Sequence, residues 1–411
     1  MANDIVTGID IGSHSVHTVV AQKKGDLLPQ IIGVGVSRAN GIRGGVIVDT
    51  IDAEASVAES IRAAERGAGV KITSAVVSVS GSHIASHPSR GVIAVSRADG
   101  EVSHDDVERV ISAAQTFSMP SNREILHVIP KEFIVDGEGG VKDPLGMRGV
   151  RLEANTLIIS GASPYIKNLQ RVLLDLGIGI ESIVIDTLAA SKAVLTKRQK
   201  ELGVVCLDIG GGTTGLAVYE EGDLLQTSIL PIGGGHITKD LAIGLRVPFD
   251  IAESIKIEYG AAVTSEISKR DVIDLSYIDP KEAGSISRKE VCEIIEARLS
   301  EIFEIANKEL KKIGKEAFLP GGVVLVGGGA KTPHIVDLAK QKMRLPCQIG
   351  FPKEVEGIVD RVDDPVYAVV LGLVFWGFEE RKDAHDGFSP SIPSLNNSVK
   401  TVKRWFKAFL P

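Results

Sequence analysis

Two short hairpin signatures, almost a domain length apart, constrain this chain more than any other feature. Ile5–Val20 reads IVTGIDIGSHSVHTVV and Gly203–Glu220 reads GVVCLDIGGGTTGLAVYE, so Asp10-Ile11-Gly12 recurs as Asp208-Ile209-Gly210 after 198 residues. Each is an apolar run of β-favouring residues, an aspartate where the strand must end, small flexible residues, and a second strand. In the second copy, Gly210, Gly211 and Gly212 permit positive φ and bring bare N–H groups close to a ligand. Thr213 and Thr214 add hydroxyls. Exposed N–H groups suit a polyphosphate, and the adjacent aspartate suits a hydrated magnesium ion, which commonly keeps several waters. A glycine triplet alone also fits an ordinary turn. The recurrence favours two half-sites gripping one nucleotide. A third loop, VVLVGGGAK, ends an apolar strand at Gly327, Gly328 and Gly329. Thr332 and Pro333 then suit a helix cap and first turn. Such a strand–glycine–helix joint can receive a sugar or base.

A length of 411 residues allows two sizeable cores, and 44% apolar with 24% charged residues fits a globular protein. A net charge of −7 argues against general nucleic-acid binding. Cys206, Cys292 and Cys347 lie far apart, without the spacing of a zinc site or disulfide framework, which makes a reducing compartment the default. MANDIVTGID lacks a secretory pattern, and the most apolar stretch, 366–378, has 13 residues, too few to span a membrane.

Along the chain, Ile31–Ser37 reads as a strand, and Gly41–Val48 as a return into the same sheet. Residues 52–67 form a helix with Ile51, Ala55, Ala58, Ile61 and Ala64 on one side. Ala75–Ser80 is a strand ending at Gly81. Residues 83–163 look like a separate strand–helix–strand–strand module, with Ser103 capping its helix and Pro130 marking an edge or bulge. This module is either decorative or an interaction surface. After the strand ending at Asp186 comes TLAASKAVL, whose small residues permit close packing; Asp186 reads as a helix cap. A helix starts near Thr238, and Asp250 caps the next, where Glu253 and Lys256 share one face. Residues 287–313 form a long amphipathic helix displaying Arg298, Lys308, Lys311 and Lys312. Asp364-Pro365 opens an all-round apolar helix in which Ala368 and Gly372 allow close approach.

The tail changes character. Residues 379–397 have linker composition. In SVKTVKRWFKAFLP, Val399, Val402, Trp405, Phe406, Phe409 and Leu410 fall within an arc of about 140° on a helix, opposite Lys400, Lys403, Arg404 and Lys407. This segment carries +4 and the remainder −11. Such a helix suits an anionic membrane surface; docking on its own protein or a partner is the alternative.

Taken together, the two hairpins and the third loop resemble the actin/Hsp70/sugar-kinase ATPase superfamily, and most closely the bacterial cell-division family FtsA. The resemblance implies an α/β, two-lobed actin-like (duplicated ribonuclease H-like) fold with an inserted α+β subdomain and a C-terminal amphipathic helix. It divides the chain into a first lobe of 1–82 and 164–196 (subdomain 1A), an insert of 83–163 (1C), a second lobe core of 197–236 and 317–378 (2A), its outer part of 237–316 (2B), a linker of 379–397 and a membrane-targeting helix of 398–411. ATP and Mg2+ would sit between the lobes. The resemblance assigns the metal to Asp10 and Asp208, through water, and the phosphates to Gly12, Ser13, His14, Ser15, Gly210, Gly211, Gly212, Thr213 and Thr214. Gly234, Gly235, Glu253, Lys256 and Gly327–Gly329 would complete the nucleotide site, with Asp186 orienting water. It implies filaments on the cytoplasmic face of the cell membrane at the division site, with FtsZ bound through its C-terminal tail near Arg298 and Asn307, and recruitment of other division proteins. Two positions depart from the family pattern: Ser15 stands for a lysine and Gly215 for an aspartate. Both remove charge, so hydrolysis is expected to be slow or absent. A PilM-like pilus adaptor is the alternative within the superfamily. A sugar or acetate kinase lacks a placeable catalytic aspartate here, and an Hsp70-type chaperone lacks its peptide-binding domain.

Overall fold

The computed structural model describes residues 4–25, 27–116, 120–265, 267–280, 284–353, 355–358, 360 and 362–385. The proposed membrane helix 398–411 and most of the expected linker lie outside them.

Two sheets share one topology. The first runs Gly179–Ile185, Ser74–Val79, Asp4–Ile11, Ser15–Lys23, Gln30–Arg38, Glu356–Gly357. The second runs Cys347–Ile349, Gly322–Val326, Val204–Ile209, Thr214–Glu220, Asp223–Leu230. In each, the aspartate-bearing strand pairs antiparallel with the strand after it and parallel with a later one. The duplicated actin-like architecture is thus present. Residues 41–48 do not rejoin the first sheet: Ile42–Arg43 and Val46–Ile47 pair only with each other.

The helix Thr50–Ala68 lies unusually close to the first sheet. A Cβ built at Gly35 would fall 1.9 Å from the Ser60 carbonyl oxygen. That approach admits only small or slender residues, so the buried face is Ala53, Ser56, Val57, Ser60, Ile61 and Ala64. Ile51 and Ala55, expected on it, are exposed.

The helices Asp186–Val194 and Ala368–His385 pack against each other, and the second also covers the first sheet. It shares one core cluster with first-lobe residues such as Val6 and Val76 and with Cys206, Ala217 and Tyr219 of the second sheet. It continues seven residues past Phe378, where a linker was expected. Side-chain bonds explain the extension: Trp376 Nε1 donates to Glu380 (3.2 Å), Lys192 pairs with Glu379, and Arg381 grips Asp4, Glu181 and the Ile5 carbonyl.

The inserted module is a sheet of Ala85–Ala94, Arg151–Ala162, Arg123–Val135 and Glu138–Val141, with the helix His104–Gln115 against it. Ser103 and Asp106 close a capping box at its start. Pro130 sits beside a register shift, because a residue without N–H cannot continue the ladder. Glu138–Val141 pairs with this strand only from Phe133 on, so at Pro130 the ladder runs on one side alone, and both the edge and the bulge readings hold. The module is bonded to the edge strand Asp223–Leu230 of the second sheet: Ser86 Oγ donates to the Thr227 carbonyl (2.8 Å) and Lys131 Nζ to the Leu225 carbonyl (2.9 Å).

In the second lobe the helices Gly234–Leu245, Phe249–Tyr259 and Arg288–Lys312 pack on a common core. The first begins four residues before the expected Thr238, because the carbonyls of Gly210 and Gly211 accept the N–H groups of Gly234 and Gly235. Pro248, not Asp250, is the N-cap of the second. Thr332 bonds back to the Gly329 carbonyl instead of capping a helix. The helix Ile335–Met343 follows His334, which adopts a left-handed φ of 63°. Among the described residues no helix is long and apolar enough to cross a membrane.

Candidate functional site

Both aspartate loops close with the same hydrogen bond. Gly12 N donates to the Ser15 carbonyl (3.2 Å), and Gly210 N to the Thr213 carbonyl (2.9 Å). The aspartates are equivalent in register, with Asp10 opposite His17 and Asp208 opposite Gly215. The loops face each other across the lobes: a Cβ at Gly211 would lie 2.8 Å from His14 Cβ, and one at Gly212 2.6 Å from Ser13 Oγ. Among the described residues, the N–H groups of Ser13, His14, Gly211 and Gly212 donate to no protein acceptor. They are available to an anion.

Three carboxyls converge here. Asp10 Oδ1 accepts from Ser78 Oγ (2.8 Å), and Asp186 accepts from Ser80 Oγ and from Thr187 N (2.6 Å). Burial, opposed by the Ser78 bond and aided by the charge of Asp186, pushes Asp10 up to about 7. Burial raises Asp186 to about 6 against the bonds from Ser80 and Thr187. Asp208 is raised well above the carboxylate range by burial and then by Asp186 and Asp10. Mutually repelling buried carboxyls are a donor set that a divalent cation relieves. Among the described residues no group of three or more His, Cys, Asp or Glu is placed to hold a metal ion directly.

Not every expected phosphate contact is available. Thr214 is fully buried and its hydroxyl donates to the Ile232 carbonyl (2.7 Å). Ser15 Oγ turns to His17 Nε2 (3.4 Å), and Ser13 Oγ accepts from Gly45 N (2.8 Å). Gly234 and Gly235 support the second loop through their N–H groups. Thr213 stays at the loop. Gly215 is a packing requirement: a Cβ there would stand 2.4 Å from Thr187 Cγ2, which leaves no room for an aspartate.

Glu253, Lys256 and Thr238 form one cluster beside the start of the Gly234–Leu245 helix, with Lys256 Nζ 2.7 Å from Glu253 and 2.8 Å from Thr238 Oγ1. Burial pushes Glu253 up, but the bonds from Lys256 and Thr238 outweigh it and hold the carboxyl below its usual value. A Cβ at Gly328 would meet nothing within 4 Å, so the third loop borders open space. A Cβ at Gly327 would lie 2.3 Å from Asp208 Oδ1, which ties that loop to the second aspartate.

The two residues expected at a partner contact are occupied internally. Arg298 makes a two-pronged bond to Asp240 (2.6 and 3.0 Å) and another to Glu301. Asn307 Nδ2 donates to the Lys342 carbonyl (2.8 Å).

Sequence reading missed Ser78, Ser80 and the Gly44–Gly45 turn. The alternation in AVVSVSG was the available signal, but only the fold shows which carboxylates those serines reach.

Residues 205–372 match the family model "Cell division protein FtsA" and residues 81–160 match "SHS2 domain inserted in FTSA". The FtsA of Borreliella burgdorferi is 38% identical over 99% of this chain and 99% of its own length. That of Pseudomonas aeruginosa is 34% identical over 98% and 97%. Among solved structures, a PilM-PilN type IV pilus biogenesis complex covers 91% of this chain and 98% of its own at 15% identity, with a TM-score of 0.65. MreB5 of Spiroplasma citri bound to AMPPNP covers 93% and 99% at 16% identity, with a TM-score of 0.56. Those two likenesses bear on the fold alone, and the full-length relatives settle the family: the chain belongs to the FtsA family of actin-like cell division proteins.

Proposed function

We propose that this chain binds ATP with a hydrated Mg2+ between its lobes and assembles into filaments on the cytoplasmic membrane. The observation that carries this is the pair of equivalent aspartate loops, facing each other with free N–H groups and sharing a third carboxylate. Ser13, His14, Gly211, Gly212 and Thr213 receive the phosphates. Asp10 and Asp208 hold the metal through water, and the metal neutralises phosphate charge when bound. Lys256 and Glu253 flank the ribose, and Gly327–Gly329 border the base. Asp186 orients a water, slowly in effect, because Ser15 and Gly215 contribute no charge. MreB5, which shares the fold, was solved with AMPPNP, and this supports the reading.

The composition of 398–411 supports peripheral attachment to an anionic membrane, with avidity from several helices on one polymer. The FtsZ C-terminal tail binds the outer part of the second lobe, and other division proteins follow. At Arg298 an acidic peptide must displace Asp240.

Calorimetry of ATP binding with magnesium and with EDTA tests the central claim. Magnesium-dependent uptake that Asp208→Asn abolishes is the expected result; uptake indifferent to both would sink it.

A further inference from the structure

The strand Ser74–Val79 lies between the strand leading into Asp186 and the strand bearing Asp10. Ser78 and Ser80 are two residues apart, which places them on the same side of extended chain. From there they reach in opposite directions. Ser78 Oγ accepts from Ile11 N (2.9 Å) and donates to Asp10 Oδ1 (2.8 Å). A hydroxyl that accepts a bond on one side has its own O–H direction constrained. Ser80 Oγ donates to Asp186 Oδ2, while Thr187 N holds Oδ1. Ser80 is itself placed by the turn at Gly81, with φ of 116°, and by its carbonyl against His83 Nε2 (3.1 Å). Neither serine bonds the other's carboxylate among the described residues. Asp10 Oδ2 lies 4.0 Å from His17 Nδ1 and accepts no hydrogen bond among the described residues, whereas both oxygens of Asp186 are engaged.

We propose that Ser78 and Ser80 are separate positioning residues, Ser78 setting Asp10 for the hydrated metal and Ser80 setting Asp186 for the attacking water. The inference rests on the nucleotide reading above and assigns its two first-lobe carboxylates different tasks. A hydroxyl that donates to a carboxylate fixes its rotamer and favours its ionised form. A partner of this kind behind a ligand changes metal affinity by about ten- to a hundredfold when removed.

The test uses the full chain and the variants Ser78→Ala, Ser78→Thr, Ser80→Ala, Ser80→Thr, Asp10→Asn and the double variant S78A/D10N. ATP affinity is measured by calorimetry in magnesium and in EDTA, hydrolysis in single turnover, and folding by thermal melts. Ser78→Ala weakens binding about tenfold in magnesium and leaves it unchanged in EDTA. Ser78→Thr restores it, and the alanine has no further effect once Asp10 is asparagine. Ser80→Ala keeps both affinities and slows the single turnover about tenfold, with recovery by threonine. A Ser78→Ala change that is equal with and without magnesium, or additive with Asp10→Asn, overturns the first role and leaves only the support of Ile11 N. A Ser80→Ala change in affinity matching the change in rate overturns the second role, as does a parent that binds Mg·ATP and hydrolyses none. A parent without magnesium-dependent binding fails earlier and overturns the nucleotide reading itself.

Discussion

Gly372 lies against the carbonyl of Ala189 so closely that a Cβ on it would stand 1.8 Å from that oxygen. The obstacle is backbone in a neighbouring helix, which cannot swing aside as a long side chain can. Gly372→Ala is therefore expected to destabilise by about 1–3 kcal/mol, lowering the melting temperature by several degrees. Gly372→Val is expected to prevent folding. Thermal denaturation followed by circular dichroism checks both, and an alanine variant as stable as the parent contradicts the packing.

Without nucleotide and metal, the three clustered carboxyls make the protein sensitive to pH. Asp10, Asp186 and Asp208 all titrate higher in the folded chain than a free aspartate. At these three sites the folded chain binds more protons than the unfolded one, so their contribution to stability is full below about pH 4 and is lost as pH rises through about 6 and 7. Each unit of upward shift corresponds to about 1.4 kcal/mol. Melting temperatures at pH 5 and pH 8 should differ, and Asp208→Asn should narrow the gap. Mg·ATP should restore stability at pH 8.

Placing at Gly215 the aspartate that the resemblance leads one to expect is predicted to fail alone. The new side chain meets Thr187 Cγ2, while Thr187 Oγ1 bonds Thr227 Oγ1 (2.8 Å). Gly215→Asp should destabilise by roughly 1–3 kcal/mol. Thr187→Ser removes the obstructing methyl and keeps the hydroxyl, so adding it should recover most of the loss. A double-mutant cycle on melting temperature reads the coupling directly.

Truncation separates the end of the fold from the segment expected to bind membrane. A chain ending at His385 keeps Arg381 with its bonds to Asp4 and Glu181 and should melt with the parent. One ending at Phe378 loses them and should melt lower. A chain ending at Asn397 should fold normally and remain in the supernatant when anionic vesicles pellet the full chain. Equal pelleting of the two chains rejects the anchor.

Much of this was legible in the residues. Asp10-Ile11-Gly12 and Asp208-Ile209-Gly210 announced two equivalent hairpins, because strand periodicity and glycine turns are local properties of the chain. Ala189 and Gly372 announced close helix packing, because a missing side chain is visible wherever it occurs. Pro130 marked a bulge for the same local reason.

The tertiary structure alone decided which of the small polar residues are available. Thr214 and Ser15 look like phosphate contacts in the sequence, yet their hydroxyls are turned inward to Ile232 and His17. Arg298 looks free on a helix face, yet Asp240 reaches it from 58 residues away. Ser78 and Ser80 meet Asp10 and Asp186 only because parallel strands bring the three segments side by side. A residue's backbone preference depends on its neighbours in sequence, but the partner that satisfies its polar atoms is set by how the sheets and helices stack.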